Sequence, residues 1–239
     1  MWPCHGSRRS VARTSDGRQK SSATSIAPRH SANSRSQSRV GSAVGWPIYS
    51  TLGARAVNPK VQVRVVWVNS WYDPGKEREA ANALIGQGAD VVTHHTDSTA
   101  VVAAAEEKGK FAVAYHSDMS KFGPKAQLAA VTHHWGAYYT KRAQAALDGK
   151  WATGSVWMGM SEGAIKLEGL NASLPKELVD TVNAKGEEIR GGKFHPFTGP
   201  IKTNEGKDVA AKDVALTDEQ LGGMNYYVQG VVGKVPAGK

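Results

Sequence analysis

Four short stretches of this 239-residue chain hold side chains that could contact a small molecule. They read NSWYD (69–73), HHTDS (94–98), HSDMS (116–120) and HHW (133–135). Aromatic faces beside aspartate and serine suit a flat, uncharged ring, which would stack on tryptophan and donate N–H groups to a carboxylate. The predicted ligand-binding residues are Trp71, Tyr72, Asp97, Ser117, Asp118 and Trp135.

Four of these residues also have a purely structural interpretation. Trp71 could cap the edge of a sheet, and Trp135 could belong to the core at the start of a helix, because aromatic side chains are commonly buried. Asp97 could be the N-cap of a following helix, and Asp118 could form a turn. Both interpretations stay open on the sequence alone.

Five histidines accompany the two aspartates and raise the question of a metal site: His94, His95, His116, His133 and His134. Their spacing argues against it, because no His-x3-His or H-E-x-x-H pair is present and neighbouring strand residues point to opposite faces. One histidine of each adjacent pair is therefore expected to be buried and the other exposed. No nucleophile elbow, Walker loop or G-x-G-x-x-G loop follows a strand, so neither a cofactor nor an enzyme is predicted.

The elements that must position these residues alternate between strands and helices. Buried strands are predicted over VQVRVVWV (61–68), ADVVTHH (89–95), KFAVAYH (110–116) and QLAAVTHH (127–134). Helices are predicted over GKEREAANALIGQ, STAVVAAAEEKG and WGAYYTKRAQAALDGK, the first with Asp73 as N-cap and Pro74 at its first position. This alternation predicts an α/β fold with a parallel sheet flanked by helices.

The four stretches all follow predicted strands. In open parallel α/β sheets, ligands bind outside the carboxyl ends of the strands. The sequence therefore predicts one site at one edge of the sheet.

The first fifty residues differ from the rest of the chain. The net charge is +9, and residues 1–50 hold eight Arg or Lys residues against Asp16, which leaves +2 for residues 51–239. This leader also has twelve serines and few large apolar residues, so it is predicted to be disordered, and its composition is also typical of an out-of-frame translation. The predicted division is a leader at 1–50 and a binding domain at 51–239.

Three longer segments resemble the basic membrane protein family of ABC-transporter substrate-binding proteins. They are NPKVQVRVVWVNSWYDPGKEREAANALIGQGADVVTHHTDS, AYHSDMSKFGPKAQLAAVTHHWGAYY and GKFHPFTGPIKTNEGK. The resemblance covers residues 51–239 and implies a type I periplasmic-binding-protein fold, whose two α/β lobes close on a ligand. It also implies a purine nucleoside or nucleobase as ligand, an ABC-transporter permease as partner and a periplasmic or cell-envelope location.

Members of that family carry an amino-terminal lobe ahead of the segment that corresponds to TLGARAVNP, where this chain has the Ser/Arg-rich leader. The resemblance therefore implies one complete lobe, another that is largely missing, and impaired ligand binding. The segment SVWMGMSEGAIKLEGL combines a strand pattern with Gly159 and Gly163, and it is predicted to cross towards the other lobe.

Two other classes of protein remain as alternatives. An intracellular α/β enzyme or regulator that uses a nucleotide fits the parallel sheet and the lack of an export signal in this sequence. A nucleic-acid binder with a basic tail fits the leader, although the charge balance of residues 51–239 argues against nucleic acid as a partner. Cys4 is the only cysteine, which excludes an intrachain disulfide.

Overall fold

The structure, a computed structural model, describes residues 22–27 and 37–236, with side chains from Trp46 onward. Most of its regular elements belong to one sheet and the helices around it. The strands are β1 (Ser22–Ala27), β2 (Gln62–Trp67), β3 (Val91–His94), β4 (Phe111–His116), β5 (Gln127–His133), β6 (Ile165–Glu168), β7 (Ile201–Lys202), β8 (Asp208–Ala210) and β9 (Val231–Val232). The helices are α1 (Gln37–Val57), α2 (Pro74–Gly86), α3 (Ala100–Glu107), α4 (Gly136–Leu147), α5 (Lys176–Arg190) and α6 (Asp218–Gly222).

The main sheet has seven strands in the order β6-β5-β4-β3-β1-β2-β9. Its neighbours pair in parallel, apart from β6, which runs antiparallel to β5. The predicted strands β2 to β5 therefore form a parallel sheet, as expected. The chain turns from β1 outward to β2 and then returns to β3 on the other side of β1, which places a topological switch point between β1 and β3.

Local sequence explains the start of α2. The Asp73 carboxylate accepts a hydrogen bond from the backbone N–H of Lys76 at 3.1 Å, and Pro74 is the first helical residue. These are the N-cap and first-turn preferences that the sequence predicted. The opening of α2 therefore fixes where the loop after β2 ends.

The core occupies both faces of the sheet. Helices α2 and α3 cover one face, where Leu84, Val92 and Val101 are buried together with alanines of β4 and β5. The opposite face holds a smaller cluster of Trp46, Tyr115 and Val131. A third cluster, around Ile48 and Phe197, joins α1 to the segments near α6 and β9. The sheet is thus covered on both sides, as in a doubly wound α/β fold.

The predicted leader differs from the structure in two places. Residues 22–27 form β1, which lies between β2 and β3, and α1 begins at Gln37, well before Thr51. Trp46 and Ile48 are only 5% and 0% exposed, so apolar burial begins inside the range predicted to be disordered. Residues 1–21 and 28–36 lie outside the described residues, and for them the prediction stays a prediction.

The segment SVWMGMSEGAIKLEGL, which was predicted to cross to another lobe, returns to the same sheet in the structure. Residues 151–157 are exposed and without regular structure, and the chain then forms β6 at the edge of the same sheet. Gly163, with a φ of 70°, turns the chain before β6 begins. The antiparallel pairing of Ala130 with Glu168 through His133 with Ile165 brings this segment back onto the sheet.

Helix α4 and the residues after it form an exposed aromatic surface. No residue of α4 is buried. The exposed aromatic side chains of this surface are Trp135, Tyr139, Trp151 and Trp157, and Trp157 is 55% exposed. Arg142 links the helix to this segment, since its guanidinium lies 5.1 Å from the ring centre of Trp151. Across the described residues, no helix is both long and apolar enough to cross a membrane.

Candidate functional site

The carboxyl ends of the parallel strands place all four predicted stretches at one edge of the sheet. Two residues there have unusual backbone conformations: Asn69 just after β2 and His116 at the end of β4, with φ values of 55° and 71°. A positive φ costs free energy in residues other than glycine, and such residues often lie at functional sites. Two of the three non-glycine residues with positive φ in the described part of the chain therefore lie at the edge that the sequence predicted.

Trp71 and Asp97 lie next to each other at this edge. The backbone N–H of Asp97 donates to the backbone carbonyl of Trp71 at 2.9 Å, which links the loop after β2 to the loop after β3. Trp71 is 36% exposed, and the Asp97 side chain is 45% exposed. An indole and a carboxylate are thus both accessible on neighbouring loops.

Tyr72, Ser117 and Asp118 are exposed at the same edge, but Asp118 is already engaged. Its Oδ1 accepts from the backbone N–H of Ser120 at 2.9 Å and from Nε2 of Gln127 at 2.7 Å. These hydrogen bonds, that of Ser120 first, lower the pKa of the Asp118 carboxyl. This geometry agrees with the turn-forming interpretation of Asp118, and its role as a ligand contact stays a prediction.

Trp135 stands at the start of α4 and is 46% exposed, so it is not a core residue. Its ring stacks on Tyr139 with centroids 6.0 Å apart, and its edge contacts His133 at 6.3 Å. Asp97 is not an N-cap either: Thr99 holds that position in α3, and the Ser98 hydroxyl accepts from the Ala100 N–H. Both structural alternatives to ligand binding are therefore weakened.

Behind the exposed residues lies a histidine–aromatic cluster, formed by Trp46, His95, Tyr115, His116 and His133. Trp46 stacks on His95 with centroids 5.6 Å apart, and Trp71 meets the same imidazole edge-on at 5.6 Å. The Tyr115 hydroxyl lies 2.8 Å from Nε2 of His95. The cluster therefore packs beneath Trp71 through the ring of His95.

Burial keeps the imidazoles of this region neutral. It lowers the pKa of His95 to about 3, with the charge of His116 as the next contribution. It also lowers the pKa of His133 to about 4, and it lowers the pKa of His116 against the opposing effect of Asp97. A neutral histidine–aromatic cluster favours an uncharged ligand over an anion.

Asp97 is the charged group nearest to this cluster. Its Oδ1 lies 2.7 Å from Nε2 of His116, close enough for electrostatic attraction, although the N–H direction does not satisfy hydrogen-bond geometry. Nδ1 of His116 lies 3.1 Å from Nδ1 of His133, so one of these two nitrogens donates to the other. The Asp97 side chain is 45% exposed, so its carboxylate is also accessible to a hydrogen-bond donor of a ligand.

The expected burial of one histidine in each adjacent pair is wrong. His94 and His95 are 0% and 7% exposed, because His94 is buried near Glu77 of α2 while His95 enters the aromatic cluster. His133 and His134 are both half-buried. Among the described residues, no three His, Cys, Asp or Glu side chains are arranged to hold a metal ion.

Sequence reasoning missed three contributors to this site. Trp46 was assigned to the leader, Tyr115 was counted only as a strand residue, and the buried Glu77 was seen only as part of α2. The apolar composition of GWPIYS (45–50) was the available signal for Trp46. Nothing in the sequence near Glu77 indicates that Thr96 and Ser98 are its partners, because these two residues follow a different strand.

An apolar cavity of about 260 Å³ lies elsewhere, between α5 and the sheet near β5 and β6. Leu128, Leu167, Leu178 and Val182 are among its lining residues, and neither Trp71 nor Asp97 lines it. Polar side chains such as Lys166, Glu168 and Asn183 also line it, but no residue of the four predicted stretches does. The carboxyl edge, not this cavity, is therefore the candidate site.

Comparison with known proteins decides the family. The sequence profile of the PnrA-like ABC transporter substrate-binding proteins, Bmp, matches residues 49–194. The chain belongs to this family. Its membership agrees with the resemblance seen in the sequence and with an α/β fold of the solute-binding type.

Individual relatives within and around the family are similar over most of the chain. A purine-binding protein of Brucella abortus is 46% identical over 185 residues, which are 77% of this chain and 53% of that protein. A protein of Haloferax volcanii named as an ABC transporter glucose-binding protein is 34% identical over 186 residues, which are 78% of this chain and 45% of that protein. This chain thus spans about half the length of these relatives.

The fold is also found among solved structures. An ABC transporter solute-binding protein from Conexibacter woesei superposes with a TM-score of 0.55 at 17% identity, over 75% of this chain and 57% of that chain. At this identity the likeness concerns the fold alone. It agrees with a mostly parallel sheet that makes up about one lobe of a two-lobed solute-binding protein.

Proposed function

We propose that this chain acts as the substrate-binding component of an ABC importer and binds a purine nucleoside or nucleobase at the carboxyl edge of its sheet. The observation that carries the proposal is the pair of Trp71 and Asp97, two accessible side chains whose loops are joined by the 2.9 Å backbone hydrogen bond. An indole stacks on a purine ring, and a carboxylate accepts its N–H groups. The name of the Brucella relative supports the same ligand class.

A sugar is the second candidate, because the Haloferax relative is named for glucose. Two features favour the purine. The relative named for purines is more similar to this chain, and the neutral histidine–aromatic cluster under Trp71 suits a flat ring. Tyr72, Ser117 and Trp135 then supply further contacts around that ring.

The proposed role is binding, not catalysis, and it follows from the family and from the sequence. The partner in this role is an ABC-transporter permease, and the place of action is the periplasm or cell envelope. The alternative of a basic-tailed nucleic-acid binder is less well supported, because the charge excess lies in residues 1–50 and leaves +2 for the other 189 residues.

The contacts of one lobe give a weak site. Base stacking contributes about 1 to 3 kcal/mol, and one hydrogen bond to a charged group contributes about 1.5 to 3 kcal/mol. Association costs at least about 4 kcal/mol. The remainder corresponds to a millimolar or weaker dissociation constant, so we propose that this chain alone binds purines feebly.

Chemical-shift titration of the full chain tests the proposal, because it measures millimolar affinities. Inosine should give saturable shifts at the Trp71 indole and the Asp97 amide, whereas glucose at the same concentration should give none. Shifts with glucose alone would favour the sugar alternative. Shifts with neither ligand would contradict a binding site at this edge.

A further inference from the structure

Glu77 is a buried carboxylate in the first turns of α2. Its residue exposure is 0%. Oε1 accepts from the backbone N–H of Asp73 at 3.0 Å, while Oε2 accepts from the hydroxyls of Thr96 at 2.6 Å and Ser98 at 2.7 Å. One side chain therefore binds both the loop after β2 and the loop after β3.

Burial of a carboxylate is costly unless its lone pairs are occupied. Three donors occupy them here, and all three come from the two loops that carry Trp71 and Asp97. Movement of either loop away from α2 would leave the buried carboxylate with unmet hydrogen bonds. The arrangement therefore favours one fixed separation of the two loops.

The helices next to Glu77 do not depend on it for their caps. The Asp73 carboxylate caps α2 by accepting from the N–H of Lys76. At the start of α3, the hydroxyl of Ser98, one residue before the N-cap Thr99, accepts from the N–H of Ala100. Each helix start is thus satisfied by its own loop. What Glu77 adds is the connection between the loops, which runs parallel to the bond from the Asp97 N–H to the Trp71 carbonyl.

We propose that Glu77 is a positioning residue of the binding site, which holds the indole of Trp71 and the carboxylate of Asp97 at the spacing that a purine requires. This inference rests on the proposed function. Glu77 touches no ligand itself. It lowers the ordering cost of binding, because the two contact groups are already in place before the ligand arrives.

The test compares Glu77→Gln and Glu77→Ala with a matched control, Glu106→Gln. Glu106 also accepts two hydrogen bonds in a loop, from the N–H groups of Lys125 and Ala126 at 2.9 and 2.7 Å, but that loop precedes β5 at the opposite edge of the sheet. If Glu77 had only a structural role, Glu77→Gln and Glu106→Gln would change inosine affinity by the same amount. Thermal unfolding of each variant measures their structural effect separately.

Inosine titration of the full chain is the first readout. Glu77→Gln replaces one acceptor oxygen by a donor, and we expect it to weaken inosine binding about tenfold, with a larger loss in Glu77→Ala. Glu106→Gln should bind inosine like the unaltered chain even where its unfolding temperature falls. Equal dissociation constants for the unaltered chain and both Glu77 variants would overturn the inference.

Amide hydrogen exchange is the second readout, and it needs no ligand. The amides of Asp73 and Asp97 should exchange faster in Glu77→Gln and in Thr96→Val, which removes one donor without removing the carboxylate. Unchanged exchange in both variants would overturn the link between the loops. Absence of inosine binding by the unaltered chain would instead count against the proposed function, so the two failures are distinguishable.

Discussion

Trp71 is the side chain on which ligand affinity depends most in this proposal. It is 36% exposed and lies on a loop, so Trp71→Ala should leave the core intact. Loss of base stacking should lower purine affinity by at least about fivefold. The measurement is inosine titration followed by amide shifts, with the unfolding temperature recorded for the same variant.

Trp157 provides the control for that substitution. It is 55% exposed and lies outside the four predicted stretches. Trp157→Ala removes an equally large ring and should leave inosine affinity unchanged. A Trp71→Ala variant that binds like the Trp157→Ala variant would exclude Trp71 as the stacking residue.

Acid should destabilise the protein through its buried histidines. Burial lowers the pKa of His94 and His95 to about 4 and about 3, whereas unfolded histidine titrates near 6.5. Below pH 6.5 the unfolded chain therefore binds more protons than the folded one, and stability falls as the pH drops towards 4. At pH 5 the loss should be about 2 kcal/mol for each of the two residues.

Urea unfolding at pH 7 and pH 5 measures this loss. The His95→Phe variant keeps a ring against Trp46 but cannot take up a proton, so it should lose less stability between the two pH values. An equal loss in the variant and the unaltered chain would show that His95 is not a source of the pH dependence.

The sequence predicted the edge of the sheet at which the candidate site lies, but not the buried residues beneath it. Trp71 and Asp97 were predicted from residue type and from the rule that ligands bind beyond the carboxyl ends of parallel strands. Trp46 and Tyr115 reach the site only through tertiary contacts across β3 and β4, which no local pattern contains. The roles of Tyr72, Ser117, Asp118 and Trp135 as ligand contacts stay predictions.

At the level of elements, strands with strong apolar patterns were predictable and the short or polar ones were not. Strands β2 to β5 and helices α2 to α4 follow from composition, caps and alternation. Strand β1 has the sequence SATSIA, whose serines and threonine resemble the leader around it. Strand β9 has only two residues, and β6 joins the sheet edge through pairing with β5.

At the level of elements, the test is whether residues 22–27 form the ordered strand β1. It pairs in parallel with β2 on one side and with β3 on the other. Amides within Ser22–Ala27 should therefore exchange slowly, like those of β3. Measurement of amide exchange by mass spectrometry decides the point, with the exposed residues 151–157 as a fast-exchanging reference.

Fast exchange throughout residues 22–27 would support the original prediction that the leader is disordered. In that case a deletion up to Gln37 should leave the unfolding temperature unchanged. Slow exchange would mean that this deletion removes a central strand and destabilises the fold.

At the level of the whole molecule, the chain covers 53% of the Brucella relative's length. A second lobe would add contacts to the other side of the ligand and exclude water from it. We therefore expect purine affinity to rise at least about a hundredfold when the amino-terminal portion of that relative is joined ahead of this chain.

Calorimetry with inosine on the joined and unjoined proteins makes this comparison. Trp71→Ala in the joined protein serves as the control, because it should remove most of the gain if both lobes share one ligand. Tight binding by the chain as it stands would contradict the weak single-lobe site.

The exposure of helix α4 determines where proteases should cut the native protein. No residue of α4 is buried, and residues 151–157 that follow it lack regular structure, so this region should open without global unfolding. Trypsin under native conditions should cut first at Lys141, Arg142 or Lys150, and the two resulting fragments should stay associated through the pairing of β5 with β6. A nicked protein that still elutes as one species would give a natural point at which to insert a reporter peptide.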